Sequence, residues 1–303
     1  MHAVKGHVVE IEGLSRRFRR TLALDKVSLV VPCGGVYGLV GENGAGKTTL
    51  IKHLLGLFRA QKGSVQVFGL DPVHHPEAVL GRIGYLSEDR DLPGWMRVEE
   101  LMRYTQRFYP SWDEAYAEDL RRTFDLDPKA KIRTLSRGQL AKAGLLVALA
   151  HRPDLLLLDE PSSGLDVIVR RDILSAIIRT VADEGRTVIF SSHLLNEVER
   201  VVDRVAMIYR GKLGFDAPLE TIKESHHRIV LHFGNGRSAP PDLPGTISCQ
   251  GAGKEWTVIV EGTREHAQAQ AAQSGGELVE IATPSLEDVF VAHATQGVPA
   301  GEV

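Results

Sequence analysis

The stretch "VYGLVGENGAGKTTL" covers residues 36–50 and joins a short apolar run to a glycine-rich loop and the start of a helical pattern. The apolar run at 36–40 is typical of a buried parallel strand. The loop has two glycines separated by four residues and followed by lysine and threonine. Backbone N–H groups of such a loop, with the N-terminus of the helix after it, bind phosphate oxygens. The stretch therefore predicts a phosphate-binding loop between a strand and a helix.

The loop residues divide into backbone donors and side chains that act on a nucleoside triphosphate and its Mg²⁺. Lys47 is expected to pair with the β- and γ-phosphates, the Thr48 hydroxyl to coordinate Mg²⁺, and Thr49 to donate to a phosphate. The backbone of the loop is supplied by Gly41, Glu42, Asn43, Gly44, Ala45 and Gly46. A second glycine-lysine run, "GAGKE" at 251–255, lacks the hydroxyl and precedes a predicted strand, so we interpret it as an ordinary loop.

Two carboxylates end the apolar run "LLLLDE". Ligands of open parallel sheets lie at the carboxyl ends of the strands. Asp159 is therefore expected to hold Mg²⁺ through water, and Glu160 to orient or polarise the water that attacks the γ-phosphate. A solvated acidic turn is the alternative. His193 follows the next apolar strand, "TVIF", and is either a third residue at this edge or a surface or capping residue.

Composition narrows the class of protein. The 303 residues are 43% hydrophobic and 25% charged with a net charge of −3, which is ordinary for a globular protein and not typical of a nucleic-acid binder. With only two cysteines, Cys33 and Cys249, the sequence implies no disulfide framework and no cysteine-rich zinc site. The N-terminus lacks the apolar core of a signal peptide, and no apolar run is long enough to span a bilayer. We expect a cytoplasmic protein that reaches a membrane only through a partner.

Alternation of predicted strands and helices indicates an α/β fold. It predicts a P-loop NTPase core with a mostly parallel sheet, an antiparallel edge layer and an inserted helical subdomain at about 91–152. Ser111 is predicted to cap one of the inserted helices. The core domain is expected to cover residues 1–220 and a small α+β domain residues 225–296, with strands at "TISCQ" and "EWTVIVEG". Residues 297–303 are predicted to be a disordered tail.

The stretch "TLSRGQLAK" at 134–142 suggests a second anion site. Ser136 is placed to cap the helix that follows, Gly138 lets a ligand approach the backbone, and the helix N-terminus is positive. A simple capped helix explains the same residues. The motif alone does not decide between these two interpretations.

Five ordered motifs resemble those of the ATPase subunits of ATP-binding-cassette (ABC) transporters, over roughly residues 7–217. They are "GENGAGKTT" (Walker A), "LSRGQ" (signature), "LLLLDEP" (Walker B), "SGLD" at 163–166 (D-loop) and His193 (switch histidine). The resemblance implies a head-to-tail pair of subunits, identical or different. Each ATP would then lie between one Walker A loop and the partner's Ser136, Arg137, Gly138 and Gln139. It also implies that Asp166 contributes to the nucleotide site and that adenine stacks on Phe18. The alternative for Phe18 is a buried aromatic residue at the end of a strand.

Two residues depart from the family pattern. Glu88, in "IGYLSED", stands where glutamine is usual, and its carboxylate could bind Mg²⁺ or water while adding negative charge near the phosphates. Arg137 stands where the signature usually has glycine, and it could contact nucleotide or point to solvent. Both residues leave a degenerate, binding-only cassette open as an alternative.

The resemblance also implies a separate integral-membrane permease. The ending "PSLEDVFVAHA" resembles that of cassettes serving drug, lipid or polymer exporters, which favours export. Aromatic residues of the helical region could form the permease groove, although internal packing is the preferred explanation for most of them; they are Trp95, Tyr104, Phe108, Tyr109 and Trp112. The rival class is a soluble, non-transport ABC ATPase acting on ribosomes or DNA, but no nucleic-acid partner is expected.

Overall fold

The computed structural model describes residues 6–295, so the predicted tail at 297–303 lies outside the described residues. The strands are β1 (His7–Phe18), β2 (Thr21–Pro32), β3 (Gly35–Val40), β4 (Lys62–Val67), β5 (Ile83–Leu86), β6 (Leu155–Asp159), β7 (Thr187–Ser192), β8 (Arg204–Tyr209), β9 (Lys212–Pro218), β10 (His226–Arg237), β11 (Thr246–Glu261) and β12 (Glu277–Ala282). The α-helices are α1 (Lys47–Leu54), α2 (Pro76–Leu80), α3 (Val98–Gln106), α4 (Glu114–Thr123), α5 (Arg137–Leu149), α6 (Val167–Glu184), α7 (Leu195–Val198), α8 (Leu219–Ser225), α9 (Arg264–Gln273) and α10 (Leu286–Thr295).

The described residues divide into two compact units. The larger contains the chain up to Leu194 together with Val201–Asp216, and the smaller contains Leu195–Arg200 together with the chain from Ala217 onward. Helix α7 therefore belongs by its contacts to the smaller unit, although it follows directly on β7 in the sequence. The prediction of a core domain ending at residue 220 did not anticipate this exchange of one helix.

A six-stranded sheet in the order β5-β6-β7-β3-β8-β9 forms the centre of the larger unit. Strands β5, β6, β7, β3 and β8 pair in parallel, as predicted. Every residue of β6 and β7 is buried, which explains why both read as continuous apolar runs. This order makes β7 the neighbour of both β6 and β3, so the three loops that carry the predicted site leave adjacent strands at one edge.

The predicted antiparallel layer is a separate sheet of the larger unit, in the order β2-β1-β4. Its strands alternate between buried and exposed residues, with Val9, Ile11 and Leu14 of β1 almost completely buried. These side chains belong to a core cluster that also contains Leu50 and Ile51 of α1. The layer therefore packs behind the helix that begins at the glycine-rich loop.

Helices α3, α4 and α5 lie between β5 and β6 in the chain and form the predicted helical insertion. The prediction that Ser111 caps α4 is wrong. Asp113 is the cap, since its carboxylate accepts from the Tyr116 N–H at 2.9 Å, while the Ser111 hydroxyl donates to the His151 carbonyl oxygen. Aspartate at this position also lies favourably at the positive helix N-terminus. No helix within residues 6–295 is both long and apolar enough to cross a membrane.

The smaller unit contains a three-stranded antiparallel sheet in the order β11-β10-β12, with helices α9 and α10. Its core includes Leu231, Trp256 and Val258. The predicted strands at "TISCQ" and "EWTVIVEG" are one continuous strand, β11, of 16 residues. The loop interpretation of 251–255 is therefore wrong, because pairing with β10 continues through Glu255 and returns at Gly253 after a register shift.

Candidate active site

The glycine-rich loop leaves β3 at Val40 and enters α1 at Lys47. Two of its positions accept only glycine. A Cβ atom on Gly41 would collide with the carbonyl oxygen of Ile208. Gly46 has a φ of 117°, and a Cβ there would lie 2.6 Å from the carbonyl oxygen of Ala23. Close packing against β2 and β8 therefore fixes the loop in the conformation in which its N–H groups can converge on an anion.

Lys47 is 5% exposed, and three oxygens hold its ammonium group. Nζ donates to the carbonyl oxygens of Gly41 at 2.6 Å and Glu42 at 3.2 Å, and it lies 3.0 Å from Glu160 Oε1. The ammonium opens onto a pocket of about 380 Å³ lined by Asn43, Gly44, Gly46, Lys47, Thr48, Thr49, Glu88 and Glu160. The sequence-predicted phosphate loop, Glu88 and Glu160 thus share one pocket.

Ser191, at the end of β7, connects the two carboxylates that follow β6. Its hydroxyl donates to Asp159 Oδ1 at 2.7 Å and accepts from the Glu160 N–H at 3.0 Å. Burial raises the pKa of Asp159, although the hydrogen bonds from Ser191 and Thr48 oppose that rise. Within the part of the chain that the structure describes, the other oxygen, Oδ2, is fully buried and accepts no hydrogen bond. A buried carboxylate oxygen beside a threonine hydroxyl fits a hard divalent cation such as Mg²⁺.

Glu160 lies between Lys47 and His193. Its side chain is almost completely buried; Oε1 faces the Lys47 ammonium at 3.0 Å, and Oε2 lies 2.7 Å from His193 Nδ1. The backbone at Glu160 has a φ of 48°, which non-glycine residues rarely adopt and which is often found at functional sites. Strands β3, β6 and β7 thus bring a buried cation, a carboxylate and an imidazole into one line of contacts.

Comparison with known proteins gives the family of this site. The family model described as ABC transporter matches residues 24–163. YdbJ of Bacillus subtilis, named as an uncharacterized ABC transporter ATP-binding protein, is 30% identical, covering 97% of this chain and 98% of its own length. The chain belongs to the ATP-binding proteins of ABC transporters. The cassette is accordingly an ATPase with the P-loop NTPase fold that the sequence predicted.

Two further comparisons agree with this family. The daunorubicin/doxorubicin resistance ATP-binding protein DrrA of Streptomyces peucetius is 34% identical to the cassette, over 77% of this chain and 72% of DrrA. A solved structure titled as the ATP-binding subunit of an ABC transporter superposes with a TM-score of 0.66 at 28% identity, covering 71% of this chain and 92% of that one. The match to the solved structure therefore extends over most of the cassette.

Helix α5, which the signature stretch begins, starts away from the pocket at the glycine-rich loop, whose lining contains none of residues 136–139. Ser136 caps α5 as predicted, since its hydroxyl accepts from the Gln139 N–H and the Gln139 side chain accepts from the Ser136 N–H. Both residues and Arg137 are exposed. Gly138 is buried, and a Cβ there would lie 2.7 Å from a side-chain methyl of Val169 in α6. A larger residue at this position would therefore have to displace the Val169 side chain.

Arg137 and Asp166 both contact the turn or helix that follows Glu160. The Arg137 guanidinium lies beside Gly164, where a Cβ would be 3.2 Å from Nη1, so Arg137 does not simply extend into solvent. Asp166 Oδ1 accepts from the N–H groups of Ile168 and Val169, each at 2.9 Å, and so caps α6. Asp166 is exposed and does not line the pocket.

Phe18 lies at the end of β1 with 37% of its surface exposed, so the alternative of a buried strand-end aromatic does not hold. The Arg16 guanidinium lies 4.6 Å from its ring centroid and 4.7 Å from that of Phe58. The two rings meet edge to face at 5.4 Å. An adenine stacked on Phe18 would therefore lie beside the Arg16 guanidinium, which already contacts the Phe18 ring.

Three aromatic residues of the helical insertion are exposed, contrary to the preferred explanation of internal packing; they are Trp95, Tyr104 and Phe108, with 72%, 50% and 62% of their surfaces exposed. The other two residues are engaged within the insertion. Tyr109 stacks on His151 at 3.8 Å, and the Trp112 indole N–H donates to Glu114. Exposed aromatic side chains of this size are typical of surfaces that contact a partner.

Sequence reasoning missed two polar residues next to the site, Ser191 and Arg90. Ser191 had a detectable signal, because a serine pair ends the otherwise apolar β7 directly before His193. Arg90 had no such signal, because a charged residue within the polar run "SEDRD" is expected to be exposed to solvent. Its side chain is nevertheless 7% exposed and contacts the turn after Glu160.

Proposed function

We propose that this cassette hydrolyses ATP to drive export through a separate membrane permease. The contact of Glu160 with both Lys47 and His193 at one pocket is the observation that carries the hydrolytic part. Phosphoryl transfer to water needs an aligned water and stabilised phosphate charge rather than a covalent intermediate. A carboxylate held from both sides suits the alignment of that water.

The chain's own residues divide this work. Lys47, Thr49 and the loop N–H groups hold the phosphates, and Glu160 orients the water while His193 fixes the carboxylate's rotation. Thr48 and Asp159 would hold Mg²⁺, with Glu88 at the pocket wall as a further oxygen donor. When bound, Mg²⁺ neutralises charge on the β- and γ-phosphate oxygens.

The exposed start of α5 supports a composite site completed by a second cassette. Ser136, Arg137, Gly138 and Gln139 would contact ATP held by the partner's phosphate loop in a head-to-tail dimer, either a homodimer or a heterodimer. The positive N-terminus of α5 favours an anion at this position. Closure of two such sites by ATP would supply the movement that drives the permease.

The dimer can be tested at Ser136 without loss of its helix cap. Aspartate caps a helix about as well as serine, so Ser136→Asp keeps the fold while placing a negative charge against the partner's ATP. In a Glu160→Gln background, where hydrolysis is blocked, we expect Ser136→Asp to abolish ATP-dependent dimers in gel filtration and to leave ATP affinity of the monomer unchanged. The control is Thr263→Asp, which changes the cap of α9 in the same way. Dimers that persist in Ser136→Asp would refute the composite site.

Export and the permease rest on different support. DrrA is named as a drug-resistance protein, and the cassette exposes Trp95, Tyr104 and Phe108 on its helical insertion. The cassette would lie in the cytoplasm, bound to the inner face of the cell membrane through the permease. We also propose residues 1–220 as the nucleotide-binding domain, with the helical insertion at about 91–152, and 225–296 as a separate domain. Pull-down of the cassette with a permease encoded beside it tests the assignment, and absence of any ATP-dependent association would favour a soluble non-transport ATPase.

A binding-only regulatory cassette is the remaining alternative, kept open by Glu88 and Arg137. The contacts of Lys47, Glu160 and His193 are all formed, which favours turnover. Steady-state hydrolysis of ATP by the purified cassette distinguishes the two. A cassette that binds ATP and never releases phosphate, alone or with its permease, would be regulatory.

A further inference from the structure

Arg90 is a buried cation whose contacts lie on the turn that follows Glu160. Strand β5 ends at Leu86, and a turn closed by the Arg90 N–H donating to the Ser87 carbonyl oxygen reverses the chain. Glu88 lies within this turn and lines the nucleotide pocket, whereas Arg90 has a φ of 51° and a side chain that is 7% exposed. The turn thus presents Glu88 to the pocket and buries the guanidinium two residues later.

A single nitrogen of Arg90 binds two carbonyl groups. Nη2 donates to the Pro161 carbonyl oxygen at 3.1 Å and to the Ser163 carbonyl oxygen at 2.8 Å. Hydrogen bonds from an ionised donor are about twice as strong as neutral ones. The same segment is closed by the Ser163 N–H, which donates to the Glu160 carbonyl oxygen at 3.1 Å. Arg90 therefore holds a short turn whose first residue is Glu160.

The backbone of Glu160 explains why such a hold is needed. A non-glycine residue at a φ of 48° carries backbone strain and keeps that conformation only where its surroundings enforce it. On the strand side, Ser191 accepts the Glu160 N–H. On the C-terminal side of Glu160, the chain continues into the turn whose carbonyl oxygens accept hydrogen bonds from Arg90. Without Arg90 the turn would lose two of the hydrogen bonds that hold it, and we expect the carboxylate between Lys47 and His193 to be less firmly placed.

We propose that Arg90 is a positioning residue for ATP hydrolysis, which fastens the Glu88-bearing loop to the turn after Glu160 and so holds the Glu160 carboxylate in place. The inference rests on the proposed hydrolytic function. It makes the two loops move as one body, so a displacement of the Glu88 loop also displaces Glu160. Arg90 itself touches neither nucleotide nor the attacking water.

The test uses the full cassette with Arg90→Met, Arg90→Lys and a control at Arg82. Arg82 lies directly before β5, at the end of the strand opposite Glu88, and pairs with the exposed Asp154. For Arg90→Met we expect kcat to fall about 10²-fold, the loss typical of a displaced catalytic group, with little change in the KM for ATP. Because both hydrogen bonds come from one nitrogen, the single ammonium of Arg90→Lys should restore most of kcat. Arg82→Met should keep the wild-type kcat.

Hydrogen exchange of the amides of residues 162–166 separates positioning from general stability. In Arg90→Met these amides should lose protection while β6 and β7 keep theirs; if that variant does not fold, Arg90→Gln is measured instead. A folded variant with unprotected 162–166 amides and wild-type kcat would overturn the proposal, as would a kcat for Arg90→Lys as low as that of Arg90→Met. Failure of the hydrolytic function itself is distinguishable, since the wild-type cassette would then show no turnover.

Discussion

Glu160→Gln separates the two contacts that Glu160 makes and provides the strongest test of the site. The substitution keeps the size of the side chain and removes its charge, so the Lys47 ammonium loses the carboxylate that lies 3.0 Å away. Breaking a buried ion pair costs about 3–5 kcal/mol. The lower value applies to this pair, because Lys47 keeps its hydrogen bonds to the Gly41 and Glu42 carbonyl oxygens.

The expected loss without nucleotide is therefore about 3 kcal/mol, or about 6–12 °C in the melting temperature of a unit of this size. ATP should reverse this loss, because its phosphates replace the missing negative charge beside Lys47. In the wild type, ATP must first draw Lys47 away from Glu160 and also meets the repulsion of the carboxylate. If the whole 3 kcal/mol is recovered in the complex, the Kd for ATP tightens by up to about 10²-fold in Glu160→Gln.

The assay is thermal unfolding with and without ATP, combined with single-turnover phosphate release. Turnover should fall by about 10²–10³-fold or more, as for removal of one preorganised group. Asp203→Asn is the control, since the Asp203 carboxylate accepts from the Val36 N–H at the opposite end of β3. Any loss of stability in Asp203→Asn should be the same with and without ATP. Weaker ATP binding by Glu160→Gln, or turnover near the wild-type rate, would refute the role of Glu160 as both the partner of Lys47 and the residue that orients water.

Two further predictions concern the surface and the pH dependence of the cassette. Trp95→Ala with Phe108→Ala should abolish binding to the permease while leaving the ATPase rate of the isolated cassette unchanged; retained pull-down of the permease would exclude this surface. Burial lowers the pKa of His151 and His227, so each is harder to protonate in the fold than in the unfolded chain, and their contribution to stability is complete above the unfolded pKa of about 6.5. The free energy of unfolding should fall by up to about 1.4 kcal/mol per pH unit for each histidine as the pH drops from that value toward the pKa of the folded state. His227→Phe should make this free energy, measured by urea unfolding between pH 7 and 5, less dependent on pH. An unchanged pH dependence in His227→Phe would contradict this.

The sequence was sufficient to predict where the glycine-rich loop and both acidic residues lie, because each rests on a local pattern. A glycine loop between a strand and a helix has few conformations, and a fully apolar strand places its last residues at the ligand edge. The order of strands was not predictable in this way. That β7 lies between β6 and β3 depends on which buried apolar strands pair, and apolar strands carry little information on their neighbours. The contact of Ser191 with Asp159 and Glu160 follows directly from that order.

Errors arose where tertiary contacts override local preference. Asp113 replaces Ser111 as the cap of α4, because the Ser111 hydroxyl is used by a carbonyl oxygen of His151. The glycines of 251–255 suggested a loop, yet strand pairing with β10 continues through them. Internal packing was expected for most of the five aromatic residues of the insertion, yet Trp95, Tyr104 and Phe108 are exposed. In each case the sequence contains a residue type with two common uses, and only the neighbours decide between them.

The two departures from the family pattern, Glu88 and Arg137, both affect the electrostatic environment of Arg90. Glu88 adds a negative charge at the pocket, and Arg137 adds a positive charge beside the turn after Glu160. Burial and Arg137 lower the pKa of the Arg90 guanidinium, whereas Glu88 raises it, so Arg90 interacts electrostatically with both. Arg90 is therefore the cation through which the charge that Glu88 adds at the pocket can be offset. We expect Glu88→Gln to remove the carboxylate that raises the pKa of Arg90 while leaving the two hydrogen bonds of Arg90 in place.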